Sequence, residues 1–213
     1  KRVPATQDRT ERARDGVVFL FRDPALGLVI AVAFFSLLFF TASMPAEVFF
    51  ATDVLEIGGT GLGVLFSCWT LGMVLGSVAV APRIPGSALV VAALLAIVVQ
   101  GLGIAAPTLW LVPGFAFAMY LVGGVGQGAK NVAIRTLIHV RTPDRLRGRA
   151  YAAYNGIRNA AELFALGAGG AMVAVLGGRG TLFLAGVLPM AVGLAGLAWY
   201  RRRARAEPAA QLA

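Results

Sequence analysis

Between Ile84 and Ala129 the chain carries no charged residue. That run is too long for a single crossing of a bilayer, whose hydrocarbon core of roughly 30 Å takes about 20 apolar residues as a helix. Ala106-Pro107-Thr108 divides it in two. A soluble domain is about a quarter charged; this chain is 14% charged and 58% hydrophobic over 213 residues, with a mean hydropathy of +0.79. A soluble core could not absorb so much apolar surface. Strand alternation is absent, so a β-barrel is not expected. Helices satisfy their own backbone groups in lipid and are the expected element.

Read this way, the sequence predicts an all-α membrane protein with a six-transmembrane-helix bundle. The spans fall near residues 24–46, 61–81, 87–105, 109–138, 149–176 and 180–200. A basic linker precedes them over 1–23 and a basic tail follows over 201–213. Asp23 is placed to cap the first helix, and Pro24 suits its first turn. Six spans put the basic segments on one side: Lys1, Arg2, Arg9, Arg12, Arg14 and Arg22; Arg83; Arg141, Arg145, Arg147 and Arg149; Arg201, Arg202, Arg203 and Arg205. The other side holds Glu47, Asp53, Glu56 and Arg179. Lys and Arg favour the cytoplasmic side, so a multi-pass protein of the inner or plasma membrane is expected, with both termini cytoplasmic.

The net charge of +9 does not point to nucleic acid, because the cations flank apolar runs instead of forming a patch. One cysteine, Cys68, excludes an internal disulfide, and with one histidine, His139, no His/Cys zinc site is expected. No cofactor or metal is expected. No HExxH, no GxSxG and no cysteine pair is present, so an enzyme is not expected. The chain opens on Lys1 with a polar, charged stretch unlike a signal peptide, which suits a piece of a longer chain.

Glycine crowds the spans. Gly72 and Gly76 form a GxxxG, Gly123, Gly124, Gly126 and Gly128 cluster in the fourth span, and Gly167, Gly169 and Gly170 lie in the fifth. Small residues let membrane helices approach closely; sliding or bending of these helices is the other reading.

Ionisable residues inside a membrane are costly and mark function by default. Asn155, Arg158, Asn159 and Glu162 recur at i, i+3, i+4 and i+7, on one helical face. As a cavity wall, this face would offer Arg158 to an anionic group and Glu162 to a proton; as simple structure, Arg158 and Glu162 are an i, i+4 ion pair. Lys130 and Asn131 come late in the fourth span, where Lys130 is expected to snorkel towards water. Gln100 is placed to bond a neighbouring helix or reach a cavity. Glu47 is expected at the outer interface.

Gly123-Gly124-Val125-Gly126-Gln127-Gly128-Ala129-Lys130-Asn131, followed by Thr142-Pro143-Asp144-Arg145-Leu146-Arg147-Gly148-Arg149, resembles the tenth helix and following loop of major facilitator superfamily transporters. It is most similar to the branch of macrolide-type drug exporters and the enterobactin exporter. The resemblance implies the C-terminal half of a twelve-helix fold, helices seven to twelve, with a missing N-terminal six-helix half as partner. It also implies efflux of a small amphiphilic compound by alternating access, a proton gradient as energy source, and Pro143, Asp144, Arg145, Arg147, Gly148 and Arg149 as a cytoplasmic gating loop. The family's other loop motif has its counterpart over Gly76–Gly86, with Arg83 but no acidic residue. Physically, Thr142 is placed to cap a short helix in the Pro143–Arg149 loop, with Pro143 at its first position and Gly148 at its end; its arginines could equally anchor anionic headgroups. The alternative is a stand-alone six-helix protein that pairs with itself or a partner to form a transporter or channel.

Overall fold

The computed structural model describes residues 17–210. The basic residues at positions 1–16 and the last three of the tail lie outside that range. Among the described residues the chain is all helical, with no strand. Four segments are long and apolar enough to cross a membrane: Pro24–Val54, Gly58–Arg83, Gly86–Leu109 and Asp144–Ala206.

A short helix α1 covers residues 17–22. Helix α2 (Pro24–Phe49) starts where the sequence predicts, because the Asp23 carboxylate accepts from the Ala25 and Leu26 N–H groups and Pro24 occupies the first turn. Those N–H groups have no partner within a helix, which is why an oxygen at this position stabilises its start. Pro45 lies inside α2 without ending it, and the helix runs on as a π-helical turn, Phe50–Val54. The first span is therefore longer than expected, and Glu47 lies within it. Glu56 and Gly58, both left-handed, make the turn into α3 (Gly58–Leu75).

A π turn (Gly76–Val80) and two short 3-10 turns lead to α4 (Leu89–Leu109). Pro107 is tolerated in the last turn of α4, so the break in the uncharged run comes over Trp110–Val112 and not at Ala106-Pro107-Thr108. Helix α5 (Pro113–Arg141) starts on a proline at its first position. Thr142 is the C-terminal cap residue of α5, not the start of a loop helix, and its hydroxyl finds no partner. Helix α6 (Asp144–Ala210) passes through Gly148 without interruption. The separate amphipathic turn expected over Pro143–Gly148 is thus the first turns of a long helix, since Gly148 keeps helical geometry. A true break comes at Gly177, with φ 69° and ψ 172°, a backbone state glycine adopts without the Cβ penalty. It divides α6 into arms over residues 144–176 and 178–210.

In lipid, helices gain little from hiding apolar surface from each other, so they associate by close packing. Glycine provides it here. On α3 and the turn after it, Gly72 and Gly76 lie against the Leu121 and Val125 carbonyls of α5, while Gly124 and Gly128 of α5 lie against the Trp69 and Met73 carbonyls of α3; a Cβ at any of the four would collide with backbone. Gly101 of α4 and Gly186 of the second α6 arm meet in the same reciprocal way, and Gly103 meets Gly123. Gly169 packs on Ala42, but Gly167 and Gly170 have open space. The packing reading of the glycines therefore holds for α3, α4 and α5 and for only part of the fifth predicted span.

Two apolar clusters mark the two ends of the bundle. One joins Leu26, Leu94, Ile134, Ile138 and Leu197; the other joins Phe50, Leu65, Trp69, Ile104, Tyr120 and Leu182. Asp23 pairs with Arg141 at the first end. At the second, Arg179 gives its Nε–H to the Thr108 carbonyl at 2.8 Å. Trp69 is enclosed, stacked on Phe40 at 5.3 Å and edge-on to Tyr120 at 5.8 Å, whereas Trp110 and Trp199 are exposed near helix ends, where aromatic belts form.

Candidate functional site

Helices α2, α5 and the first arm of α6 enclose a small cavity. Lys130, Asn131 and Gln127 line it from α5, Tyr154 and Arg158 from α6, and Phe34 and Phe40 among the residues of α2. Spacing explains the grouping. Positions 127, 130 and 131 share one face of α5, and 154 and 158 share one face of α6.

Lys130 is buried, and its Nζ donates to Gln100 Oε1 on α4 at 2.6 Å. The expectation that it snorkels to water is corrected. Position 130 lies eleven residues before Arg141, about 16 Å along the helix, and the crowded glycines around it bring α4 close enough for Gln100 to meet Nζ. Among the described residues no carboxylate pairs with Lys130. Its Nζ is held instead by a neutral amide, that of Gln100.

Arg158 donates its Nε–H to Glu162 Oε1 at 2.9 Å, an i, i+4 ion pair with both side chains partly exposed. Glu162 lies fifteen residues before Gly177, about 22 Å along the arm and near mid-span. The site thus gathers two basic side chains, one carboxylate, two amides and the Tyr154 phenol. The Gln127 Oε1 atom is enclosed and unpartnered, which fits a site that receives a donor from outside the protein, such as water.

The remaining sequence candidates separate. Asn155 and Asn159 do not line the cavity; they are exposed on the flank of the same arm, beside the equally exposed Leu163 and Phe164. Pro143, Asp144, Arg145, Arg147, Gly148 and Arg149 lie at the junction of α5 and α6, in the first turns of the arm and more than two helical turns from Arg158. Arg147 there pairs with Asp144 at 2.6 Å.

Gln127 and Tyr154 were not among the expected site residues. Both were legible, one at i+3 before Lys130 and the other at i+4 before Arg158. The cavity holds about 40 Å³, room for one or two waters and far below the several hundred Å³ of a pocket for a drug-sized ligand. It is a site for water, a proton or a small charged group. A larger ligand would need a further wall beyond these three helices.

No protein-family model, no curated protein and no solved structure matches the chain. The resemblance to major facilitator transporters therefore rests on the order and loop lengths of the expected spans and, specifically, on residues 123–131 and 142–149.

Proposed function

We propose that the chain is half of a secondary active transporter, crossing the membrane six times and exporting a small amphiphilic compound by alternating access. Six crossings are supported by the reversals at 55–57, 84–86, 110–112, 142–143 and 177, by the pairing of Asp23 with Arg141, and by the packing of Gly178 on Ala46 and Phe49. Both termini on the cytoplasmic side follow from the basic residues at one set of ends.

The observation that carries the transport reading is the unfinished cavity. Basic and amide groups of α5 and α6 converge, against an apolar wall from α2, on a space too small for a substrate, and Asn155 and Asn159 lie uncovered on the adjoining flank beside Leu163 and Phe164. Transporter sites lie near mid-membrane between two related halves; this face would be one wall. Arg158 then meets an anionic group of the substrate, and Glu162, released from Arg158, takes up the proton.

In the complete protein, Glu162→Gln is expected to abolish pH-driven efflux while the protein still reaches the membrane. Efflux that still follows the pH gradient would overturn the assignment. The same uncovered face would also accept a second copy of this chain. Blotting native membranes separates the two: a product near twice 22.1 kDa supports the two-half transporter, and one at that mass supports a self-pairing six-helix protein.

A further inference from the structure

Glu47 and Lys130 are the two charged residues that the described part of the chain buries. Lys130 belongs to the cavity. Glu47 lies at the other end of the bundle, 4% exposed, on the last turns of α2 beside the fully buried Ala46 and Phe50. It makes no ion pair among the described residues. Every element packed around it withholds a positive charge. On its own segment, Asp53 is exposed and accepts from the Thr52 hydroxyl. From α3 come Trp69 and the partly buried Cys68. Arg179, heading the arm that packs on Ala46 through Gly178, is exposed and gives its Nε–H to the Thr108 carbonyl. From α5 comes Tyr120, whose buried hydroxyl has no hydrogen-bond partner and lies within electrostatic range of Glu47.

From this enclosure we infer that Glu47 is a proton-binding site, separate from the Arg158–Glu162 pair and carrying its proton in this conformation. An ionised carboxylate enclosed without a counter-charge is unfavourable enough that the group neutralises instead. The backbone around it is built to move. Pro45 removes one helical hydrogen bond just before Glu47, and the π turn Phe50–Val54 follows it; both are places where helices bend. Bending α2 there would admit water to Glu47 and let the proton leave on the side opposite the basic loops. The inference stands on the enclosure of Glu47 and does not require the transport reading.

The test uses the wild-type full-length protein in lipid nanodiscs and dicyclohexylcarbodiimide, an apolar reagent that adds a protonated carboxyl across one C=N bond as an O-acylisourea, whose acyl group then shifts from oxygen to nitrogen to leave a stable N-acylurea. Peptide mass spectrometry is expected to find the adduct on Glu47, falling several-fold as the pH is raised from mildly acidic to alkaline. Glu47→Gln is expected to remove that adduct and leave any adduct on Glu162 unchanged. An unlabelled Glu47 across the pH range, or labelling that ignores pH, would overturn the inference. The wild-type titration decides this even if Glu47→Gln fails to fold, and neither result depends on how Glu162→Gln affects efflux.

Discussion

Lys130 keeps its Nζ inside the bundle by bonding to Gln100, a neutral partner, at 2.6 Å. Leaving a buried donor without a partner costs about 1–3 kcal/mol. Gln100→Leu should therefore lower the thermal stability of the detergent-solubilised protein by roughly that amount, and adding Lys130→Met should restore most of it. Equal melting of Gln100→Leu and wild type would mean that Lys130 reaches water after all. The Asp23 cap makes a prediction about pH. Partial burial works against its carboxylate, but the Arg141 hydrogen bond and charge and the Ala25 and Leu26 N–H groups outweigh this and hold its pKa below the ordinary 3.8. A carboxylate with a lowered folded pKa stabilises fully above its unfolded pKa and loses that contribution as pH falls through the folded value. Asp23→Ala should thus cost about 1 kcal/mol at neutral pH, with the difference from wild type vanishing in strong acid. A difference independent of pH would refute the capping account. The Asp23 cap was legible because its partners are two and three residues away. The Gln100–Lys130 bond was not, because it joins residues thirty positions apart and depends on how closely two helices approach.

Helix lengths and breaks were legible where proline or glycine acts alone and illegible where neighbours decide. Asp23-Pro24 starts α2 as expected, yet Pro107 and Pro45 do not end their helices: each removes one helical hydrogen bond, Pro107 two residues before the end of α4 and Pro45 five residues before a π turn. That continuation is why Glu47 reads as interfacial in sequence and is enclosed in the structure. The glycines separate in the same way. Sequence cannot tell Gly124, pressed on the Trp69 carbonyl, from Gly156, which has open space. Gly124→Ala should destabilise by about 1–3 kcal/mol through forced separation of α3 and α5. Gly156→Ala should be neutral or stabilising by a few tenths, since alanine favours the helix. Thermal unfolding of the two variants side by side checks this, and equal effects would contradict the packing described for α3 and α5.

The exposed surface of the bundle has two characters. Helix α3 and the π turn after it turn Val64, Leu71 and Val78 outward, and the first arm of α6 turns out Asn155 and Asn159 on the flank of the cavity, beside Leu163 and Phe164. The first suits lipid tails; the two amides of the second suit water and a substrate. The hydrophobic runs made a membrane bundle legible from the outset, and the i, i+3, i+4, i+7 pattern flagged the polar face. Which of its residues turn into the cavity and which stay on its rim was not legible, because a helical face spans more than one neighbour. The transport reading requires that the rim be wet at mid-membrane depth. Chemical labelling tests this most directly. In a background where Cys68, the single cysteine, is replaced by serine, Asn159→Cys and Leu71→Cys are expressed in the complete protein and exposed to a membrane-impermeant thiol reagent from each side in turn. The account predicts that Asn159→Cys reacts from one side, is protected by a transported compound, and that Leu71→Cys stays unlabelled. An unreactive Asn159→Cys from both sides would place this face in lipid or in a dry interface and would contradict the proposed transport cavity.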